Sequence, residues 1–196
     1  GDQGSTAITE ALGNAVTVRG GVQIDTGNSR FGGGSIQFDG ASGYLDLGIS
    51  PDWAFGAGDF TVDLWASFNK AGGTQHIIGL HTSTVYTEWS LVLQGSKLNL
   101  YINGVVPIGY TWTPVLGQWH HLAVTRSQGT IRLFVDGQLV QSAPNTTNIA
   151  NNRVLTVGAA NNPSLWFSGS LDEVHIMKGH ALWTESFTPP TEPYLY

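Results

Sequence analysis

No cysteine occurs in the 196 residues. Disulfides and thiolate chemistry are excluded, and a chain of this length buries enough surface to fold without crosslinks. Charge is scarce as well. Charged residues make up 11% of the chain, against roughly 25% in ordinary globular proteins. Only 8 residues are Lys or Arg, they do not cluster, and the formal net charge is −6. The chain therefore lacks the basic patch that neutralises phosphate, which excludes nucleic acid as a partner and disfavours an anionic membrane. It also lacks a run of about 18 apolar residues, so no segment reads as a membrane-spanning helix. No signal-peptide pattern opens it, and Gly1 in place of Met reads as a processed or trimmed start.

What the chain does have is turns and alternation. Glycine accounts for 26 residues and hydrophobic residues for 41%, enough for many tight turns around one substantial core. The clearest stretch is Trp119–Val140. Leu122 and Val124 alternate with His121, Ala123 and Thr125, the period of a strand with one face in a core. Ser127–Gly129 turns the chain, Ile131, Leu133 and Val135 repeat the alternation, and Asp136-Gly137 closes a tight hairpin. Asp-Gly suits that turn because both positions need positive φ. Leu98, Leu100 and Ile102 followed by Asn103-Gly104 repeat the design. Phe60–Phe68 is the cleanest single strand, with Phe60, Val62, Leu64, Ala66 and Phe68 on one face.

Further strands are expected at 15–19, 22–24, 35–38, 44–47, 75–80, 89–94, 97–102, 154–158 and 169–177. Helical turns are expected only near Pro51–Ala54 and Ala181–Glu185. Many short strands with turn residues between them predict an all-β, two-sheet antiparallel sandwich. We read residues 1–196 as one domain, with an extended Pro-rich tail over 188–196.

Four segments carry a family resemblance: Phe31-Gly32-Gly33-Gly34-Ser35 leading to Phe38-Asp39-Gly40; Phe60–Trp65; Trp119–Arg126 through Phe134–Gly137; and Phe167–Val174. In this order they resemble the laminin-G-like, concanavalin A-like jelly-roll lectin superfamily. The ending Ala181-Leu182-Trp183-Thr184, then Phe187-Thr188-Pro189-Pro190, is similar to the form found in bacterial and phage surface and tail proteins. Such phage-type relatives often have one more apolar strand before the segment matching Gly1–Ser5. The resemblance implies a sandwich whose members mostly bind glycans or proteins, with some glycosidases and lyases among them. Fold alone does not choose between these.

Enzymes of this type place paired carboxyls on one strand, because a glycosidic bond must be flanked by two. None of the 14 acidic residues forms such a pair. Asp63 stands alone on its strand, and Asp172 and Glu173 are adjacent, so they face opposite ways. A lyase would set a His or Tyr base near Arg or Asn; His121 with Tyr101, near Arg126 and Arg132, is the one set to consider, against simple packing on a sheet. His76/His81 and His175/His180 share a spacing but match no strong zinc pattern. Asn145-Thr146-Thr147 is a glycosylation sequon.

The resemblance implies a structural calcium where an N-terminal strand, a Gly-rich turn and the penultimate strand meet. Asp172 matches the carboxylate, and Asp2 with the carbonyls of Gly33 and Gly34 are the further candidates. The other reading is that Asp172 hydrogen-bonds the Gly-rich turn.

For binding, the face opposite the core decides. Trp65, Tyr101, His121 and Phe134 lie on it, beside Asp63, Asn99 and Asn103. Aromatic faces suit the C–H face of a sugar, and carboxylate and amide groups suit its hydroxyls. Trp65, Tyr101, Asp63, His121 and Phe134 are therefore the candidate glycan site. The competing reading is that loops or the Pro-rich tail cover this face as a second small core; the loop tryptophans Trp53, Trp112 and Trp166 then become the candidates. The expected function is a non-catalytic lectin-like or adhesion module, extracellular or on a cell or virion surface, binding a glycan or surface polysaccharide. The alternative is a structural virion module that acts through protein contacts with virion or cell-surface proteins. An enzyme ranks third.

Overall fold

The computed structural model describes residues 1–80, 88–150, 153–160 and 164–195. In chain order the strands are β1 (Thr17–Arg19), β2 (Gln23–Asp25), β3 (Ser35–Asp39), β4 (Tyr44–Asp46), β5 (Phe60–Phe68), β6 (Thr74–Leu80) and β7 (Trp89–Gln94). They continue as β8 (Lys97–Ile102), β9 (Val105–Thr111), β10 (Trp119–Ser127), β11 (Thr130–Val135), β12 (Gln138–Pro144), β13 (Leu155–Val157) and β14 (Ser168–Lys178). A 3-10 turn at Pro51–Trp53 is the single helical element among the described residues.

Two antiparallel seven-stranded sheets form a sandwich. The first sheet runs β1-β4-β13-β6-β7-β8-β9, the second β12-β11-β10-β5-β14-β3-β2. The hairpins form as their residues dictate: Asn103 and Gly104 sit at φ of 46° and 77°, and Asp136 and Gly137 at 50° and 76°. Val62, Leu64, Leu122, Val124, Leu133 and Val135 are all buried between the sheets. Register explains their common fate: β10 pairs Leu122 with Leu64 and with Val135, and Val124 with Val62 and with Leu133. Each row points inward together.

Two expectations need correction. Ala181–Glu185 forms no helical turn and runs as irregular chain. Strand β9 was not expected, because Pro107 and Gly109 interrupt its alternation. It is tolerated at the sheet's edge, where a missing N–H costs no ladder bond.

Candidate functional site

The outer face of the second sheet is not open. Trp65, His121 and Phe134 do share it, with Asp63, but each is at most 6% exposed. The segment from His180 to Tyr194 lies over them. Thr61 Oγ1 donates to the carbonyl of His180 and accepts from the N–H of Leu182. Thr125 Oγ1 donates to the carbonyl of Trp183. The N–H of Phe187 donates to Gly137 at 2.8 Å. A Cβ on Gly137 would sit 2.1 Å from the Phe187 carbonyl oxygen, so the hairpin glycine is also what lets the tail dock. Trp183 and Phe187 stack at 3.9 Å, and both rings meet His121 edge-on at 5.6 Å. Phe187 also packs on Phe134. On the far side, Arg30 lies 4.1 Å over the Trp65 ring and Phe31 packs beside it. The competing reading, a second small core, describes this face.

Asp63 is the polar centre of that core. Its Oδ2 accepts from His121 Nε2 at 3.1 Å and from the Tyr194 hydroxyl at 2.7 Å; its Oδ1 accepts from His175 Nδ1 at 3.0 Å. Burial raises its carboxyl, but these three donors outweigh that and hold it below the ordinary carboxylate range. Tyr194 is also tied through its backbone N–H, which donates to Glu173. Nearby, His120 Nε2 accepts from the N–H of Val115 while Nδ1 donates to Asp136.

Tyr101 is on neither this face nor this sheet. It lies on β8, on the outer face of the first sheet. Register builds a polar platform around it: Tyr101 pairs with Ser90, Asn99 pairs with Val92 and with Gly109, and Lys97 pairs with Gln94 and with Thr111. The Tyr101 hydroxyl and Asn99 Nδ2 both donate to Gln94 Oε1, at 3.1 and 3.3 Å. Asn99 Oδ1 and Ser90 Oγ are buried without a hydrogen-bond partner. A Cβ on Gly109 would come within 2.3 Å of Asn99 Oδ1, so glycine is what lets the Asn99 side chain lie against β9. Gln141 reaches across from β12 to take the N–H of Gly109. Gln94, Lys97 and Thr111 are exposed and Tyr101 is half-buried. This amide-rich platform offers hydroxyl-binding groups beside a ring. Asn99 was legible as a neighbour of the site; Ser90, Gln94 and Gly109 were not, since only cross-strand register puts them there.

A family model described as the concanavalin A-like lectin/glucanases superfamily matches residues 39–185. The chain belongs to this superfamily. No curated protein matches it. Among solved structures it is similar to domain 4 of AbnA, a GH43 extracellular arabinanase from Geobacillus stearothermophilus, in complex with arabinotriose. That likeness has 19% identity and a TM-score of 0.65, and covers 84% of this chain and 82% of that one. It is also similar to the binding domain of botulinum neurotoxin DC in complex with SialylT, at 11% identity and TM-score 0.62, over 87% of this chain and 45% of that one. The receptor binding domain of a botulinum neurotoxin C/D mosaic serotype gives 15% identity and TM-score 0.62, over 91% of this chain and 47% of that one. The chain thus spans a little less than half of the neurotoxin chains, and these likenesses show the fold.

Within this superfamily domain the lyase constellation does not assemble. His121 and Tyr101 are on different sheets. Arg126 is fully buried and clamps the carbonyls of Gly56, Gly58 and Thr147, and Arg132 Nη1 donates to the carbonyl of Thr130. The loop tryptophans are largely committed to packing: Trp53 belongs to the core, Trp112 packs on Phe68 and His120, and Trp166 on Tyr44. His76 Nε2 lies 3.4 Å from Thr156 Oγ1 and His175 is held by Asp63, while His81 lies outside the described residues.

The calcium donors do not fit. Asp172 Oδ2 accepts from the N–H groups of Arg30 and Phe31 at 2.8 and 3.1 Å, and Oδ1 from the N–H of Glu173 at 3.0 Å. N–H groups present positive charge where a cation would need oxygen. Burial still raises the Asp172 carboxyl, against the pull of those N–H groups. Asp2 is exposed and its carbonyl accepts from the Ser5 N–H; Gly33 is exposed in the turn beyond Phe31, and Gly34 is half-buried beside Ile24. Among the described residues no group of three or more His, Asp or Glu is placed to hold a metal.

Proposed function

We propose that this domain is a non-catalytic glycan-binding module, working outside the cell or on its surface, and that it takes its ligand on the outer face of the first sheet. The observation that carries this reading is the platform itself. A half-buried Tyr101 ring stands beside Asn99, whose Oδ1 is buried and unpartnered, and beside Gln94, whose Oε1 faces two donors. Around that ring the exposed Gln94, Lys97 and Thr111 offer amide, ammonium and hydroxyl groups that suit a sugar's hydroxyls. Neighbouring structures described with arabinotriose and SialylT support a carbohydrate as the ligand class.

A glycan array with the wild type, Tyr101→Ala and Asn99→Ala tests it. Loss of the ring should weaken binding by about 1 kcal/mol or more, near fivefold in Kd, with the fold retained. Glycan binding untouched by both substitutions would move the site elsewhere, with the Tyr44–Trp166 pair next in line. Reproducible cleavage of any polysaccharide would overturn the non-catalytic part.

A further inference from the structure

Acidic residues are unevenly placed along the chain. It carries 14 of them and a formal net charge of −6, yet between Asp63 and Asp136 the sequence holds one, Glu88. Strands β6 to β9, which build the Tyr101 platform, therefore contain neither Asp nor Glu. Glu88 is buried just before β7, where its carbonyl accepts from the N–H of Asn103, beyond the Ile102 end of β8. On the strands of the first sheet the one carboxylate is Asp46 of β4, which lies 3.9 Å from Arg19. It stands four strands from β8, about 19 Å away.

Two cations stand at the opposite end of β8. Lys97 opens the strand and pairs with Gln94 across the turn and with Thr111 on the other side. Its Cε lies 3.3 Å from the point a Cβ on Gly109 would occupy, and Asn99 Oδ1 lies 2.3 Å from the same point. The lysine stem thus runs over Gly109 and meets the Asn99 amide, on the side of the platform. The exposed Lys70 brings its ammonium 3.4 Å from the matching point on Gly73. The Gly73 carbonyl accepts from the N–H of Gly95, in the turn that leads to Lys97. Among the described residues no carboxylate pairs with either ammonium.

We propose that the glycan taken on this platform is acidic: an oligosaccharide with a carboxylate or sulfate on the sugar seated at Lys97. This rests on the outer face of the first sheet being the glycan site. An unpaired ammonium on an acid-free stretch of surface attracts an anion, and Lys70 adds to the pull. The acidic remainder of the chain repels the same anion and so steers it to this end of the sheet. A charge-assisted hydrogen bond is shorter than a neutral one and roughly twice as strong. Lysine is a point charge with three rotatable donors, so it takes a carboxylate and a sulfate alike. Lys97 and Tyr101 stand four residues apart on β8, about 13 Å. One sugar does not span that distance, so an oligosaccharide is needed to meet both the ring and the charge.

The test is a glycan array with the whole chain, followed by titration calorimetry on the members bound. The array sets oligomers of galacturonate, mannuronate and hyaluronan, and sialylated chains, beside their methyl esters, which keep the rings and lose the charge. It also sets sulfated galactan beside neutral galactan. The acidic members should bind roughly tenfold more tightly than their neutral partners, the scale of a hydrogen bond to a charged group. Lys97 is exposed, so its substitutions leave the packing intact. Lys97→Gln should remove the preference and Lys97→Arg should keep it. Lys178→Gln changes a cation held on the Pro51 carbonyl, away from the platform, and should leave the preference as it was. The uronate and sulfate arms tell which anion is read. Equal binding of acids and esters, lost in Tyr101→Ala, overturns the acidic ligand and leaves the glycan site standing. A preference that survives Lys97→Gln also overturns it, by moving the charge contact off this strand. Binding of no glycan at all ends both readings.

Discussion

The outer faces of the two sheets began with similar prospects and ended differently. On β5 and β10 the outward positions include Asp63, Trp65, Thr125 and His121; on β7 and β8 they include Ser90, Val92, Gln94, Lys97, Asn99 and Tyr101. Both sets mix rings with hydrogen-bonding groups. The first became a core because chain segments cover it: Trp183, Phe187 and Tyr194 from the tail, Arg30 and Phe31 from the other side. The second is covered in part: Ser90, Val92 and Asn99 are buried on it, while Gln94 and Lys97 are exposed and Tyr101 is half-buried. Alternation thus separates inside from outside on a single sheet, but it does not report whether a third layer lies on the outside.

The sharpest way to break the comparison is to remove Asp63. Asp63→Ala leaves His121, His175 and Tyr194 facing an empty site, and should cost about 3–5 kcal/mol in urea unfolding, as for other buried charge partners. The linked pH effect has a definite sign. The folded carboxyl lies below its unfolded value, near 3.9. Its stabilisation is present at neutral pH and lost as pH falls below about 4. Glu173, raised mainly by burial, works in the opposite direction over the neighbouring range. Asp63→Asn should therefore flatten the acid limb of stability against pH; an unchanged limb would show that the hub is not coupled to folding.

A matched pair of ring deletions comes next. Trp65→Ala should destabilise by about 3–5 kcal/mol, because it empties a packed layer under Arg30 and Phe31. Tyr101→Ala, which removes a half-buried ring and its hydrogen bond to Gln94, should cost less, about 1–2 kcal/mol. Equal losses in thermal melts would mean that the two faces are alike after all.

The smallest expected effect concerns metal. Since the Asp172 oxygens already accept three backbone N–H groups, melting temperatures in calcium and in chelator should coincide. A calcium-dependent rise that Asp172→Asn abolishes would restore the site.

The sequence by itself determined most of the strands, their phase and the hairpins, though not the edge strand β9. These depend on neighbours two residues apart and on residues that tolerate positive φ, so Leu133, Val62, Asp136 and Asn103 could be placed from local pattern alone. It also carried the superfamily, through motifs spread over most of the chain. Tertiary structure alone decided how far each outer face is covered. That Tyr101 and His121 lie on different sheets, that Ser90 and Gly109 frame Tyr101 and Asn99, and that Tyr194 reaches Asp63 across 131 residues of chain are matters of register and docking. Contacts of that separation leave no local periodicity, because their residue types are set by partners far away in sequence. How far β14 is paired is of the same kind: among the described residues β3 accompanies it only over Ser168–Leu171, ending at the pair Leu171 and Ile36.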